Sequence, residues 1–430
     1  LTADKPIVWL DQPNKVQMML YQQIGAPSIC IVKVGDKRKK GQLIAEDGSF
    51  VSACQHAPIS GTVTKIEKIR NTQGWYGEAV TIEADPDRGN DFMEASHPRT
   101  QEEVDALSVK EIIDIVDNRG VVGLGGATFP TRVKLLPPEG SKPEVIIVNA
   151  VECEPYLTCD DVLMRTYPNE IVKGIEVVMK VVNVKRAIIG IEDNKPQAIK
   201  AMQELSKKDS AIVVKPMPAA YPQGGEKVLI YNTTGKTVPE GKLPLDVGCI
   251  VMNVTTLACI AEYVRTGMPL VEKCLTVDGS AVATPKNVIA PIGTSMKDVF
   301  DFCGGFKEEP FSVVYGGPMM GVAVPDLSAP VLKQTNAILA LTKKETAVPK
   351  ETNCIRCGAC VTNCPFGITP PAITKAYKNK DAEAAIKAGA ELCMLCGCCS
   401  YNCPANRPLV QTNKLAKDLV KEYKDKEANK

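Results

Sequence analysis

Cysteine dominates one stretch of this sequence, Cys354-Ile-Arg-Cys357-Gly-Ala-Cys360-Val-Thr-Asn-Cys364-Pro365. The same spacing returns at Cys393-Met-Leu-Cys396-Gly-Cys398-Cys399-Ser-Tyr-Asn-Cys403-Pro404. Both stretches have the form C-x2-C-x2-C-x3-C-P. Two-residue gaps allow a chain to curl around one face of a compact group, so that thiolates and nearby amides point inward. The proline then turns the fourth cysteine away from the first three.

This spacing predicts two [4Fe–4S] clusters, with the fourth cysteine of each run crossing to the other cluster. A disulfide framework would need an oxidising compartment, and no signal peptide is recognised in the sequence. Zinc sites pair two C-x2-C units and have no use for a third cysteine at the same spacing. Cys398 lies outside the ligand spacing and is predicted to be a packed thiol. The predicted ligands are Cys354, Cys357, Cys360 and Cys403 for one cluster, and Cys393, Cys396, Cys399 and Cys364 for the other.

The composition limits the possible functions. The 430 residues carry a net charge of +1, which predicts no nucleic-acid partner. The 17 cysteines indicate a reducing compartment. Only two histidines are present, so the sequence offers few residues for a histidine-based metal or acid–base site. No apolar run reaches about 18 residues, so no membrane-spanning helix is expected.

Residues 28–83 predict a small β-domain, because β-branched residues there are interrupted by turn signals. These segments resemble the barrel-sandwich fold of biotinyl and lipoyl carriers. The modified lysine of such carriers belongs on the tip between Ile44 and His56, where this chain has no lysine. The resemblance therefore implies a docking or structural module rather than a swinging arm.

The following segment predicts an α/β domain. Helix Val109–Asn118 precedes the glycine-rich loop Val122-Gly-Leu-Gly-Gly-Ala-Thr-Phe-Pro130. Strands at 145–148, 187–191 and 211–215 then alternate with helices at 170–181 and 196–206, which predicts a parallel sheet. A dinucleotide fingerprint needs its glycines between a strand and a helix, whereas this loop follows a helix. The loop is therefore either an ordinary surface loop or a shelf of bare backbone for a phosphate and a flat ring.

Four segments of this domain resemble the flavin- and NADH-binding subunit of respiratory complex I. They are the glycine loop ending Phe-Pro-Thr, the Asn…Glu-Pro strand end at 149–155, the Gly-Glu turn at 225–226 and the Asn-Val-x-Thr segment at 253–256. The resemblance implies non-covalent FMN, with Gly123, Gly125, Gly126 and Lys134 at its phosphate and ribityl chain. Contacts to phosphate or ring edge are implied for Asn149, Gly225, Glu226, Asn253 and Thr256, with Glu152 in the same strand-end segment. Phe129 and Glu154 match positions that receive the nicotinamide nucleotide. Leu124, Thr128 and Arg132 depart from the family pattern.

Residues 266–345 resemble the soluble-ligand-binding β-grasp module found beside complex I flavoproteins. The sequence predicts strands at 273–277, 281–290 and 311–315 and a helix at 295–302. Residues 332–341 are predicted to be a connector into the cluster domain. Helices are predicted at 370–378 and 381–390, which favours a helical ferredoxin domain, and an amphipathic helix is predicted at 409–423.

In this order, the parts resemble the RnfC family, whose members belong to Rnf ferredoxin:NAD+ oxidoreductase complexes. The predicted fold is multidomain α/β plus β: barrel-sandwich at 1–95, parallel-sheet FMN/NADH domain at 96–265, β-grasp with connector at 266–345, and helical ferredoxin domain at 346–430. The resemblance implies an oxidoreductase that exchanges hydride between NAD(H) and FMN and single electrons with two clusters, in a complex that translocates ions. It also implies a peripheral position on the cytoplasmic side of the membrane, other subunits as partners, and ferredoxin reached through one of them.

Two other interpretations stay open. A cobalamin-reducing flavoprotein has similar parts, but there the barrel-sandwich is expected at the other end of the chain. The second is a relay protein that keeps the clusters and has lost FMN, and the departures at Leu124, Thr128 and Arg132 keep this interpretation open. Flavin content distinguishes this relay protein from the oxidoreductase.

Overall fold

The computed structural model describes residues 1–71, 74, 76–85, 98–207, 210–346 and 349–428. It divides into two compact units, one of residues 1–317 and 321–345 and the other of residues 318–320 and 346–430. The predicted domain boundary between residues 95 and 96 lies outside the described residues.

The N-terminal part of the first unit is built from β-strands that are two to ten residues long. They are β1 Ile7–Trp9, β2 Lys15–Met19, β3 Ile29–Cys30, β4 Lys37–Arg38, β5 Leu43–Glu46, β6 Gln55–His56, β7 Gly61–Arg70 and β8 Tyr76–Ala84. One antiparallel sheet has the order β2-β8-β7-β4, and another has the order β3-β5-β6. Val16, Ile44 and Ile82 contribute fully buried side chains to one apolar core. The prediction of a small β-domain is confirmed.

The α/β part follows. Its elements are α1 Gln101–Ala106, α2 Val109–Asn118, α3 Thr131–Leu135, β9 Val145–Ala150, α4 Cys159–Thr166, α5 Pro168–Val182, β10 Ala187–Glu192, α6 Pro196–Ser206, β11 Ile212–Met217, α7 Glu226–Thr234, β12 Cys249–Asn253 and α8 Val254–Thr266. The sheet has the order β11-β10-β9-β12, and all its pairs are parallel. β9 and β10 are almost wholly apolar and buried, as parallel strands covered on both faces require. The predicted parallel sheet is confirmed.

A mixed sheet completes the first unit. It contains β13 Glu272–Asp278, β14 Lys286–Pro291, β15 Ser312–Tyr315, β16 Val322–Ala323 and β17 Ala337–Leu341, with α9 Met296–Phe302 between β14 and β15. Its order is β1-β14-β13-β17-β15-β16. β1 pairs in parallel with β14, so the start of the chain joins this sheet rather than the N-terminal β-domain.

Two predictions for this region are wrong. Residues 332–341 are not a connector, because β17 lies inside the sheet, parallel to β13 and antiparallel to β15. Its five residues are all apolar and buried, which is typical of a central strand. The strand predicted at 281–290 is confined to Lys286–Pro291, because the backbone N–H groups of Ala283 and Thr284 donate to the loop after α9 rather than to a neighbouring strand.

The second unit is helical, as predicted. Its helices are α10 Ala359–Thr362, α11 Pro370–Lys378, α12 Ala382–Lys387, α13 Cys398–Tyr401 and α14 Leu409–Ala428. Ile373 of α11, Ala385 of α12 and Ala416 of α14 are fully buried in one core. In the part of the chain that the structure describes, no helix is both long and apolar enough to span a bilayer.

Candidate functional site

The glycine-rich loop between α2 and α3 closes on itself. Gly123 N donates to Phe129 O at 2.9 Å, and Thr128 N donates to Gly123 O at 3.1 Å. Gly125 and Gly126 form its exposed outer edge, and Gly126 has a φ of +104°. Because glycine has no side chain and adopts this φ without strain, the loop presents a row of bare backbone to its surroundings.

Residues far away in the sequence hold the loop in place through hydrogen bonds to its backbone. Leu124 N donates to Thr256 Oγ1 at 2.8 Å, and Lys273 Nζ donates to Leu124 O at 2.9 Å. A Cβ added to Gly125 would lie 3.0 Å from the Cβ of Asn253. The loop therefore lies tightly against the start of α8 and is bound to strand β13 of the mixed sheet.

Polar side chains meet the loop at the carboxyl ends of two neighbouring parallel strands. Asn149 at the end of β9 and Asn253 at the end of β12 are register partners. Asn149 Nδ2 donates to Gly224 O at 2.9 Å, and Asn253 Oδ1 accepts from the backbone of Thr255 and Thr256, which caps α8. This edge is where open α/β sheets bind ligands. The structure thus brings together predicted residues from the loop, two strand ends and the turn before α7.

Lys134 places a cation beside the loop. Its Nζ donates to Val251 O at 2.7 Å, lies 3.8 Å from Glu226 Oε2 and lies 5.9 Å from the ring centroid of Phe129. Burial lowers the pKa of Lys134, and the Glu226 carboxylate opposes that shift. Gly225 caps α7 and Glu226 is its first residue, so Lys134 links the loop to that helix N-terminus.

Glu152 contacts α4 and Glu154 contacts Gly317, and neither α4 nor Gly317 belongs to the glycine loop. Glu152 caps α4, because its carboxylate accepts from Asp160 N at 2.9 Å and Asp161 N at 3.2 Å. Burial, and then the nearby Asp160 carboxylate, raise the pKa of Glu152 well above its usual range. Glu154 lies directly against the backbone of Gly317.

A cluster of possible metal ligands lies here, made of Glu152, Cys159 and Asp160. Their donor atoms are already used within the protein. Asp160 accepts from Asn253 Nδ2 at 2.8 Å and from Thr255 Oγ1 at 2.5 Å, and the Cys159 thiol donates to Glu152. This cluster therefore connects α4 to α8, and we assign no metal to it.

Two of the three positions that depart from the complex I pattern, Thr128 and Arg132, fasten the N-terminal β-domain to the loop and to the start of α3. Thr128, with a φ of +49°, accepts from Ile24 N at 3.2 Å. Arg132 donates to Asp117 at 2.5 Å, to Asp47 at 3.1 Å and to Phe50 O at 2.6 Å. Asp47 and Phe50 belong to the tip that would carry lysine in a carrier domain. The tip is therefore a clamp on the start of α3, directly after the loop.

Sequence reasoning missed three contributors from outside the matched segments. Lys273 is almost wholly buried within a strand of otherwise buried residues, and a lysine in such a strand is the signal that could have identified it. Asp160 has no such signal. Asn336 has its Nδ2 at 3.7 Å from a Cβ built on Gly126, and its buried Oδ1 has no hydrogen-bond partner among the described residues.

These features fit FMN. A flat ring and a phosphate need bare backbone, and the exposed edge at Gly125 and Gly126 supplies it where side chains would fill the space. The N-termini of α7 and α8 carry partial positive charge, which favours phosphate, and Lys134 adds a cation. The amide of Asn336 adds a polar group at the same edge.

The second unit gathers the predicted cluster ligands into two groups of four. One cavity, of about 220 Å³, is lined by Cys354, Cys357, Cys360 and Cys403. Another is lined by Cys364, Cys393, Cys396 and Cys399, together with Cys398. Each group combines cysteines from both runs, as the crossing pattern requires. Cys354 and Cys357 are exposed, whereas Cys393, Cys396 and Cys399 are buried.

The two cysteine runs have the same backbone shape. Equivalent residues have positive φ angles: +58° and +60° at Arg356 and Leu395, +79° and +82° at Gly358 and Gly397, and +62° and +52° at Gly367 and Asn406. Each run contains one short helical turn, α10 or α13, before its last cysteine. These repeated left-handed positions bend each loop around its cavity.

The donor set fits iron–sulfur clusters. Burial, followed by the neighbouring Cys393 thiol, raises the pKa of Cys399 to about 11. Such thiols stay protonated at neutral pH unless a cation holds their thiolates, and soft metals are the usual partners of four converging thiolates.

Known domain families match successive parts of the chain. They are the RnfC barrel sandwich hybrid domain at residues 1–87, the Nuo51 FMN-binding domain at 116–262, the SLBB domain at 275–323 and the 4Fe-4S dicluster domain at 351–407. The predicted cofactors, FMN and [4Fe–4S] clusters, agree with these families and are confirmed at that level.

A solved structure shares the fold over much of the chain. The NAD+-reducing [NiFe]-hydrogenase in the H2-reduced state matches with a TM-score of 0.52 at 19% identity, covering 79% of this chain and 68% of the other.

Curated relatives match most of the chain. The C subunit of the proton-translocating ferredoxin:NAD(+) oxidoreductase complex of Clostridium ljungdahlii is 46% identical over 86% of this chain and 80% of its own length. The C subunit of the Na(+)-translocating complex of Acetobacterium woodii is 43% identical over 86% and 82%. The C subunit of the ion-translocating oxidoreductase complex of Rhodobacter capsulatus is 41% identical over 98% and 81%. The chain therefore belongs to the RnfC family, the C subunits of ion-translocating oxidoreductase complexes.

Proposed function

We propose that this chain is the NAD(H)- and FMN-binding iron–sulfur subunit of a membrane-associated ferredoxin:NAD+ oxidoreductase complex. The observation that carries the proposal is that one chain holds both the glycine-loop site and two groups of four cysteines. The glycine-loop site suits a flavin and the cysteine groups suit one-electron carriers, so the chain is equipped to convert between electron pairs and single electrons.

FMN, when bound, exchanges a hydride with the nicotinamide and single electrons with the clusters. The protein would position this cofactor at the glycine-loop edge. In the proposed site, the backbone of Gly123, Gly125 and Gly126 would face the ribityl chain and phosphate. The other proposed contacts come from Lys134, Asn149, Gly225, Glu226, Asn253 and Thr256. Glu152 would act from behind them, by holding α4 against the strand ends.

The nicotinamide nucleotide would lie over the same loop. Phe129 would stack against a ring, and Glu154 would accept from ribose hydroxyls. Neither role needs a proton-transfer group, since hydride exchange moves no separate proton. This agrees with the small number of histidines in the chain.

We further propose the finer organisation implied by the family. The four domains would be residues 1–95, 96–265, 266–345 and 346–430, with a barrel-sandwich fold in the first and a β-grasp fold in the third, whose sheet also takes in β1. The cluster ligands would be Cys354, Cys357, Cys360 and Cys403, and Cys364, Cys393, Cys396 and Cys399. The chain would bind other subunits on the cytoplasmic side of the membrane, and ferredoxin would exchange electrons with it through one of them.

Cofactor analysis of the anaerobically purified full chain tests the proposal. Iron, acid-labile sulfide and extractable flavin are measured, and NADH is then added while absorbance is followed. We expect about eight iron and one FMN per chain, and bleaching by NADH. Eight iron without FMN, and no response to NADH even after FMN is added, would contradict the oxidoreductase and leave a relay protein.

A further inference from the structure

The helix after the second cysteine run contacts one of the predicted ligands directly. Asn413 of α14 is fully buried, and its Nδ2 lies 3.5 Å from Cys393 Sγ. One turn later, Lys417 Nζ donates to Cys393 O at 2.7 Å. One face of α14 therefore reaches both the sulfur and the backbone of Cys393.

The first cysteine run uses the equivalent position differently. α11 follows the first run as α14 follows the second, and Thr374 stands where Asn413 stands in the repeat. Thr374 is buried, and its hydroxyl donates to Pro370 O at 3.0 Å within its own helix. Cys354, the counterpart of Cys393, accepts a backbone hydrogen bond from Arg356 N at 3.4 Å. The two loops share a backbone shape but differ in this side chain.

Stability alone does not explain the asparagine. Its Oδ1 is buried without a hydrogen-bond partner among the described residues. An unpaired buried carbonyl lowers the stability of the fold, so an apolar side chain of similar size would suit this helix interior better. The contact that the amide provides is the one to Cys393 Sγ.

We propose that Asn413 is a positioning residue that raises the reduction potential of the cluster held by Cys364, Cys393, Cys396 and Cys399. Reduction adds one electron and breaks no bond, so the extra negative charge spreads over the cluster and its ligand sulfurs. An N–H group donating to a ligand sulfur stabilises that charge. The inference rests on the proposed cluster ligands and is independent of flavin and NAD(H).

The test is an anaerobic dithionite titration of the cluster-loaded full chain, followed by electron paramagnetic resonance. In Asn413→Leu, we expect one of the two midpoint potentials to fall while the other stays unchanged. A tenfold loss in the ratio of reduced to oxidised cluster, as expected for one hydrogen bond, corresponds to about 59 mV. Iron stays at about eight per chain. The melting temperature does not fall, because the unpaired carbonyl has been removed.

Thr374→Val is the matched control, since it changes the equivalent position of the other repeat. It should leave untouched the potential that Asn413→Leu lowers. Asn413→Thr, which imports the side chain of the first repeat, should lower the same potential as Asn413→Leu. Unchanged potentials in both Asn413 variants at full iron would overturn the proposal. Loss of half the iron in both would also overturn it, because Asn413 would then serve cluster assembly. Absence of FMN or of a response to NADH would contradict the proposed function and leave this result unaffected.

Discussion

The cysteine loops and the glycine loop both present backbone to a ligand, but they obtain their shape from different parts of the chain. Each cysteine loop is shaped locally, by left-handed residues between and after its own cysteines. The glycine loop is held by contacts from α8, from the mixed sheet and from the N-terminal β-domain, made by Thr256, Lys273 and Ile24. A local motif can be recognised from spacing, whereas a loop supported from a distance can change sequence and keep its geometry.

Loss of a cluster ligand should give the largest effect, and one confined to the cysteine region. Cys393→Ser removes a buried thiolate ligand, so iron is expected to fall from about eight to about four per chain, while FMN content stays unchanged. Iron analysis and flavin extraction measure both. Cys398→Ser is the control and should keep all its iron, because Cys398 lies outside the ligand spacing. A loss of flavin in Cys393→Ser would show that the two regions depend on each other.

A side chain added at Gly125 should affect the glycine-loop site and leave the cysteine region unchanged. Gly125→Val places a branched side chain where a Cβ already lies 3.0 Å from Asn253 Cβ. Overpacking of this kind costs about 1–3 kcal/mol, so FMN binding should weaken by up to roughly a hundredfold at unchanged iron. Fluorescence titration with FMN measures it. Gly123→Ala is the milder comparison, since the nearest atom to its Cβ lies at 3.6 Å. Equal loss in both variants would argue against the close approach at Gly125.

Cutting the clamp should produce an intermediate effect. Arg132→Ala removes the contacts to Asp47, Asp117 and Phe50 O, so the start of α3, directly after the loop, is no longer fastened to the tip of the N-terminal β-domain. We expect FMN affinity to fall roughly tenfold, the factor for about 1.4 kcal/mol of lost preorganisation. Arg38→Ala, which breaks the Arg38–Asp36 ion pair in the same β-domain, should bind FMN normally. Unaltered FMN affinity in Arg132→Ala would mean that the clamp does not support the site.

The smallest effect concerns a buried lysine behind the clamp. Lys333 Nζ donates to Cys54 O and Gly120 O, and burial lowers the pKa of Lys333 to about 7 from an ordinary 10.5. Between these values the unfolded chain binds a proton that the folded chain has released, so this group makes stability rise with pH. Below about pH 7 Lys333 is protonated in both the folded and the unfolded chain, so its contribution to the free energy of unfolding no longer changes with pH.

Melting curves from about pH 7 to about pH 9 should therefore rise less steeply in Lys333→Met than in the unaltered chain. Lys200→Met, at an exposed position of α6, serves as the control and should keep the original slope. Identical slopes in Lys333→Met and the unaltered chain would show that Lys333 titrates normally.

The sequence predicted the parts of the molecule that depend on local pattern. Cysteine spacing predicted both groups of four, and hydrophobic periodicity predicted the parallel sheet and α2, α6 and α11 at their observed bounds. The prediction failed where pairing is non-local. The connector predicted at residues 332–341 contains β17, because a short apolar run does not reveal its partners, and β1 pairs with a strand far along the chain. Lys273 lies in β13 and Asn336 lies just before β17, so the pairing of these two strands brings both residues to the glycine loop.

The most direct test of electron entry at the glycine loop follows cluster absorbance after NADH is mixed anaerobically with two proteins. One is the unaltered chain, and the other is Gly125→Val loaded with both clusters and stripped of its weakly bound FMN by gel filtration. NADH should bleach flavin and clusters in the unaltered chain. In Gly125→Val the clusters should stay oxidised with NADH and bleach when dithionite is added. Clusters that bleach with NADH in the flavin-free variant, or that stay oxidised in the unaltered chain while its flavin is reduced, would contradict transfer through the flavin site.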